Sequence, residues 1–136
     1  MTVALPIKER RTNNFGDDKD YVYTFVYDDR EVEVVAQIFN AEKMIQFVFA
    51  VEGDIDTTGK IGVGSIRIFA TVAHIIRTMH KLHSSYGISF SAKIKEYTRV
   101  SLYRKFANRI AKELNGTYNE AVQGVTIVFT IVPNGR

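Results

Sequence analysis

The sequence predicts an α+β domain with a mostly antiparallel sheet and helices packed on it, in the order βββ-α-β-α-ββ. Three observations carry this. Residues 21 to 38 alternate apolar and polar positions with a period of two, the pattern of half-buried strands. Residues 65 to 83 and again 99 to 114 repeat their apolar positions at helical spacing. Short alternating runs follow each helix.

Tyr21, Tyr23, Phe25 and Tyr27 point one way along the first clear strand, with Val22, Thr24 and Val26 opposite. Asp28-Asp29-Arg30 reads as a hairpin turn. In the next strand Val32, Val34, Ala36 and Ile38 share one face, while Glu31, Glu33 and Gln37 share the other. Asn40-Ala41-Glu42 turns the chain again. The third strand, Lys43–Glu52, is apolar on both faces, which predicts a central strand covered on both sides. A glycine-rich loop from Gly53 to Gly64 leads to a helix for which Ser65 is the expected N-cap. That helix gathers Ile68, Phe69, Val72, Ile75, Ile76, Met79 and Leu82 on its inner face, leaving Arg67, Thr71, His74, Thr78 and Lys81 outward.

Ser84-Ser85-Tyr86-Gly87 ends the helix, and Ile88, Phe90, Ala92 and Ile94 alternate in the strand after it. The second helix, from about Arg99 to Leu114, turns Val100, Leu102, Tyr103, Phe106, Ala107, Ile110 and Leu114 inward. Asn115-Gly116 is a helix stop. Thr117–Ala121 reads as a short strand and Val125–Val132 as a longer one. Residues 1–19 show neither period and read as a polar arm, with room for one short strand near Val3–Ile7. Residues 20–136 read as one domain.

With 136 residues the chain is long enough to bury a core without covalent staples. It has no cysteine, which excludes disulfides, thiolate metal sites and a cysteine nucleophile. No stretch approaches the length of a membrane helix, and the charged start lacks the apolar run of a signal peptide. The expectation is an intracellular, soluble protein. A formal charge of +3 is only weak support for a nucleic-acid partner. Nine Phe and seven Tyr without Trp point to an aromatic sheet core.

Five groups of residues bear on chemistry. The Gly62-Val63-Gly64-Ser65 turn precedes a helix, where exposed N–H groups and the dipole favour an anion. The same glycines equally suit an ordinary strand-to-helix loop. Tyr103 carries a hydroxyl able to act as a general acid, yet it lies mid-stripe, where an aromatic is normally core. Glu52, at the end of an apolar strand, is placed either as a base with a raised pKa or as a solvated strand-end carboxylate. His74, His80 and His83 lie on or beside one helix without the carboxylate or cysteine partners of a metal site. Arg99, Arg104, Lys105, Arg109 and Lys112 read as a solvated helix face, phosphate contact being the alternative.

Two stretches carry a family resemblance. One is the glycine turn with Ser65-Ile66-Arg67-Ile68-Phe69-Ala70-Thr71-Val72. The other is Ile88-Ser89-Phe90-Ser91-Ala92 leading into Arg99-Val100-Ser101-Leu102-Tyr103. In topology, from about residue 20 to 132, the chain resembles the GNAT acyl-CoA N-acyltransferases, in particular small divergent GNAT-like proteins encoded by bacteriophages. The resemblance implies that a splayed pair of central strands grips the pantetheine arm of acetyl-CoA. It implies that Gly62, Val63, Gly64 and Ser65 bind the pyrophosphate, that Tyr103 is a general acid and that Glu52 is the nearest match to a base.

An acetyl-CoA-dependent N-acetyltransferase acting on an amine of a protein or small molecule is then the expected activity. No metal is implied. The chain departs from the family at Gly59, where Gln or Arg is usual, and in lacking helices before its first clear strands. Those departures keep a second reading open, a non-catalytic module that binds and modulates a host protein in the bacterial cytoplasm. Nucleic-acid binding is the weakest reading, and a homo-oligomer is compatible with all of them.

Overall fold

The computed structural model describes residues 4–16, 18–27, 29–51 and 65–134. Its elements run β1 (Glu9–Phe15), β2 (Asp18–Tyr27), β3 (Arg30–Phe39), β4 (Met44–Val51), α1 (Ser65–Leu82), β5 (Gly87–Lys93), α2 (Tyr97–Glu113), β6 (Gly116–Gln123) and β7 (Thr126–Pro133). The strands form one sheet in the order β1-β2-β3-β4-β5-β7-β6. Every neighbouring pair is antiparallel except β4 and β5. The α+β class holds.

The alternation seen in the sequence becomes one continuous buried face, although in β2 Val22 and Thr24 on the opposite face are buried as well, at 3% and 1% exposure. Register places Tyr23 opposite Val34, Val34 opposite Phe49, Ile45 opposite Ile88, and Phe90 opposite Phe129. Since side chains alternate across a strand, these residues all project to one side. Both helices cover that side. The Tyr23 hydroxyl meets the Met79 sulfur of α1 at 3.3 Å. Tyr103 of α2 packs on Phe49, Phe90 and Phe129. The helices also touch each other, Phe69 near the start of α1 against Phe106 near the middle of α2, and Arg77 in the second half of α1 against Glu113 at the end of α2.

Four expectations are corrected. Residues 9–15, read as part of a polar arm, form β1 and pair with β2 from Glu9↔Thr24 to Phe15↔Asp18. An edge strand needs only one neighbour, so its ladder forms without an apolar stripe. A short strand was allowed near Val3–Ile7; of that stretch residues 4–7 are described and form none, and instead the Leu5 N–H donates to Thr71 Oγ1 at 2.8 Å. Thr71 is therefore buried rather than outward, its hydroxyl donating in turn to the Arg67 carbonyl. Leu82, expected inward, is exposed at the helix end.

A fifth correction concerns β4. Its Ile45, Phe47 and Phe49 are buried, but Met44, Gln46 and Val48 on the opposite face are only half-buried. Both helices lie on the other side, so no second layer covers this one among the described residues. The stop after α2 is as expected. Asn115 takes φ of 52°, and a Cβ at Gly116 would meet Ile131 Cγ2 at 2.8 Å, so the close approach of β6 to β7 requires glycine there.

Candidate functional site

The site is built on the one parallel pair in the sheet. β4 and β5 pair at Met44↔Gly87, Ile45↔Ile88 and Gln46↔Ser89. There the ladder ends, although both strands continue, β4 to Val51 and β5 to Lys93. Past Gln46 and Ser89 no described residues of the two strands pair in register. A sheet interior seldom gives up backbone pairing. An opening of this kind is a place where another hydrogen-bonding chain or ligand can enter.

The helices orient the same end of the sheet. α1 begins at Ser65, after the loop that follows β4, and α2 begins at Tyr97, just after β5. Because β4 and β5 are parallel, both helix N-termini sit at the end where that register has stopped. Their positive dipole ends and unpaired N–H groups favour negative charge there. Arg67 in the first turn of α1 and Arg99 in the first turn of α2 add cationic side chains. Arg99 pairs with Glu96 at 3.3 Å. It is buried, at 6% exposure, not on the solvated face that the sequence assigns to it.

Tyr103 stands over the opening on the helix-bearing face. It is 3% exposed. Its ring meets Phe49 at 5.7 Å, Phe69 at 5.9 Å and Phe90 at 5.5 Å, each edge to face. Phe49 belongs to β4 and Phe90 to β5, and their own rings lie 6.1 Å apart. Three rings thus converge just beyond the last β4–β5 pair. Such edge-to-face pairs stabilise beyond simple burial, by roughly 0.5–1.5 kcal/mol each. Phe49 and Phe90 are the site residues that sequence reasoning missed as a group. Each reads as ordinary core from its strand period, and only the register brings them together.

The other predicted residues fare differently. Ser65 is the first residue of α1. Gly62, Val63, Gly64 and Glu52 lie outside the described residues. Among the described residues no group of His, Cys, Asp and Glu gathers to hold a metal. Arg104 and Arg109, read as solvated, take part in ion pairs. Arg104 holds Glu120 of β6 with two hydrogen bonds, 2.8 and 2.9 Å, and Arg109 lies 3.8 Å from Glu113. The Tyr118 hydroxyl also donates to Glu120, at 2.6 Å. The Arg104 hydrogen bond holds the Glu120 carboxyl below the usual carboxylate range. Burial, then its bond to Glu120, pushes the Tyr118 hydroxyl up.

The GNAT resemblance implies a splayed pair of central strands, and β4 and β5, whose register is short, stand at that place in the sheet. No family model matches the chain. No curated protein matches it either. Solved structures similar to the chain include the following two. One is a point variant of the spermidine N-acetyltransferase SpeG from Vibrio cholerae, 12% identical, with a TM-score of 0.49, covering 86% of this chain and 66% of that chain. The other is a chimera of SpeG from Vibrio cholerae and hSSAT, 11% identical, with a TM-score of 0.48, covering 85% and 66%. The match spans just under two thirds of the length of each of these solved chains.

Proposed function

We propose that this chain is a GNAT-like N-acyltransferase that holds acetyl-CoA in the opening between β4 and β5. The observation that carries the reading is the end of the parallel ladder at Gln46 and Ser89, directly beneath Tyr103. The donor set fits the cofactor in kind. The inner-edge peptide groups of Phe47–Val51 and Phe90–Lys93, which lie beyond the β4–β5 register, suit an amide-bearing pantetheine arm. The α1 N-terminus at Ser65, with Arg67 beside it, suits a pyrophosphate. Bound there, acetyl-CoA would supply the activated acyl group.

The chain's own residues would do the rest. Gly62, Val63, Gly64 and Ser65 would present N–H groups to the phosphates. Phe49 and Phe90 would exclude water from the opening, and Tyr103 would give a proton to the departing sulfur. Glu52 would take the proton of the amine. The acceptor belongs to the general class of primary amines on a protein or small molecule.

Calorimetric titration with acetyl-CoA tests this. The expected result is saturable binding weakened by substitutions at Gly64 and at Arg67. Absence of binding at millimolar ligand would overturn it.

One observation favours a second reading, a GNAT-like module that binds another protein without catalysis. The rings of Phe49, Phe90 and Tyr103 already occupy the helix side of the opening. Under this reading they are a plug, and acetyl-CoA does not bind even when the protein partner does.

A further inference from the structure

We infer that the corner formed by the β5–α2 turn and the β6–β7 hairpin tip is a docking site for an acidic polypeptide segment carrying a large apolar anchor. Among the described residues six large hydrophobic side chains are exposed, and four of them, Ile94, Tyr97, Val122 and Val125, belong to these two turns. Tyr97 and Val125 are 79% and 73% exposed. A soluble domain seldom gathers its exposed apolar surface in one place without using it.

The corner is also shaped. Lys93, Ile94, Lys95, Tyr97, Gly124 and Val125 line a recess of about 420 Å³, ample for one aromatic or branched side chain. It is preorganised, because the Ile94 N–H donates to the Val125 carbonyl at 2.8 Å and ties the two turns together.

Charge selects the occupant. Lys93 and Lys95 flank the recess and are both exposed. The nearby carboxylate, Glu96, is committed to Arg99 at 3.3 Å and to the Lys93 N–H at 3.2 Å. The rim is therefore cationic and the floor apolar. A bilayer is a poor fit, since recruitment to anionic lipid takes clusters of about four to eight basic residues. A nucleic acid is a poor fit too, because two lysines engage few phosphates. A single apolar anchor flanked by carboxylates matches both the recess and its rim.

The test uses the full chain and a fluorescein-labelled peptide of about twelve residues in which glutamates alternate with leucines around one central phenylalanine. Fluorescence anisotropy is expected to show saturable binding. Binding should weaken about tenfold or more in Lys93→Glu/Lys95→Glu and in Tyr97→Ser/Val125→Ser, a loss of about 1.4 kcal/mol. Matched thermal unfolding checks that these exposed substitutions leave the fold intact. A peptide with lysine for glutamate, or serine for the apolar residues, should not bind.

Six outcomes overturn the inference: no binding at about 1 mM peptide, equal binding by the lysine peptide, or no loss in either double variant. The fourth is preferential binding to phosphatidylserine vesicles, and the fifth is a self-association removed by Tyr97→Ser/Val125→Ser, which would make a second copy the occupant. If acetyl-CoA binds and displaces the peptide, the corner belongs to the cofactor, which overturns this inference and leaves the proposed activity standing.

Discussion

The Phe49 ring of β4 and the Tyr103 ring of α2 meet edge to face, 5.7 Å apart and 78° from parallel, just past the last hydrogen-bonded pair of β4 with β5. One helix side chain thus sits on both strands at the place where they cease to hold each other. Packing there substitutes for part of the missing ladder.

Tyr103 separates structure from chemistry. Tyr103→Phe keeps the ring and all its aromatic neighbours, so its stability in urea should lie within about 1 kcal/mol of the parent. If the hydroxyl delivers a proton, acetyl transfer should fall about a hundredfold. Tyr103→Ala should lose roughly 3–5 kcal/mol, because it leaves a ring-sized cavity. An activity unchanged in the phenylalanine variant would remove Tyr103 from the reaction.

The buried Thr71 hydroxyl ties the segment before β1 to α1 by accepting from the Leu5 N–H. Thr71→Val keeps the shape and removes that acceptor. It should cost about 1–3 kcal/mol, the penalty of a polar group left unpaired. Hydrogen exchange at Leu5 should speed up while exchange within β3 changes little. Equal protection at Leu5 in both proteins would show that the tie is incidental.

The Arg104–Glu120 pair holds the edge strand β6 to α2. Glu120's folded pKa is lowered, chiefly by the Arg104 hydrogen bond, so its contribution is present above the unfolded carboxylate pKa of 4.5 and is lost as pH falls through the depressed folded value. Glu120→Gln should therefore be less stable than the parent at neutral pH, by about 0.5–1 kcal/mol given the exposure of the pair. The gap should close under acid. Denaturant titrations at several pH values read this directly, and a gap that widens as pH falls would refute it.

Gly116→Ala tests the close approach of β6 and β7. An added Cβ would meet Ile131 Cγ2 at 2.8 Å and the Val132 carbonyl oxygen at 3.1 Å. The expected loss is about 1–3 kcal/mol, the usual cost of overpacking. A melting temperature equal to that of the parent would mean that the hairpin shifts to accommodate the methyl group.

Much of the fold was legible because its signals are periodic. Tyr21, Tyr23 and Phe25 alternate, and so do Val32, Val34 and Ala36, since these positions share the helix-facing side of the sheet; the burial of Val22 and Thr24 on the other side of β2 is not something that period reveals. β1 carries no such stripe; its Arg10, Arg11 and Thr12 join the sheet through backbone pairing, which leaves no trace in polarity. Thr71 and Arg99 were assigned outward because both are polar. Their burial depends on partners, the Leu5 amide and Glu96, that no helical period reveals. The convergence of Phe49, Phe90 and Tyr103 was hidden for a different reason. It arises from three separate elements and from the early end of the β4–β5 ladder, which is a property of register rather than of composition.

The placing of β7 between β5 and β6 has a consequence for how this protein comes off the ribosome. β1 to β4 are consecutive neighbours and can zip together as they emerge. β5 cannot be flanked on both sides until α2, β6 and β7 have all been made. Through that interval β5 is anchored only by its short contact with β4, its other edge stays open, and the nascent chain is most vulnerable to mispairing. Slowing or truncating synthesis within α2 should therefore expose an adhesive half-sheet that the finished protein never displays.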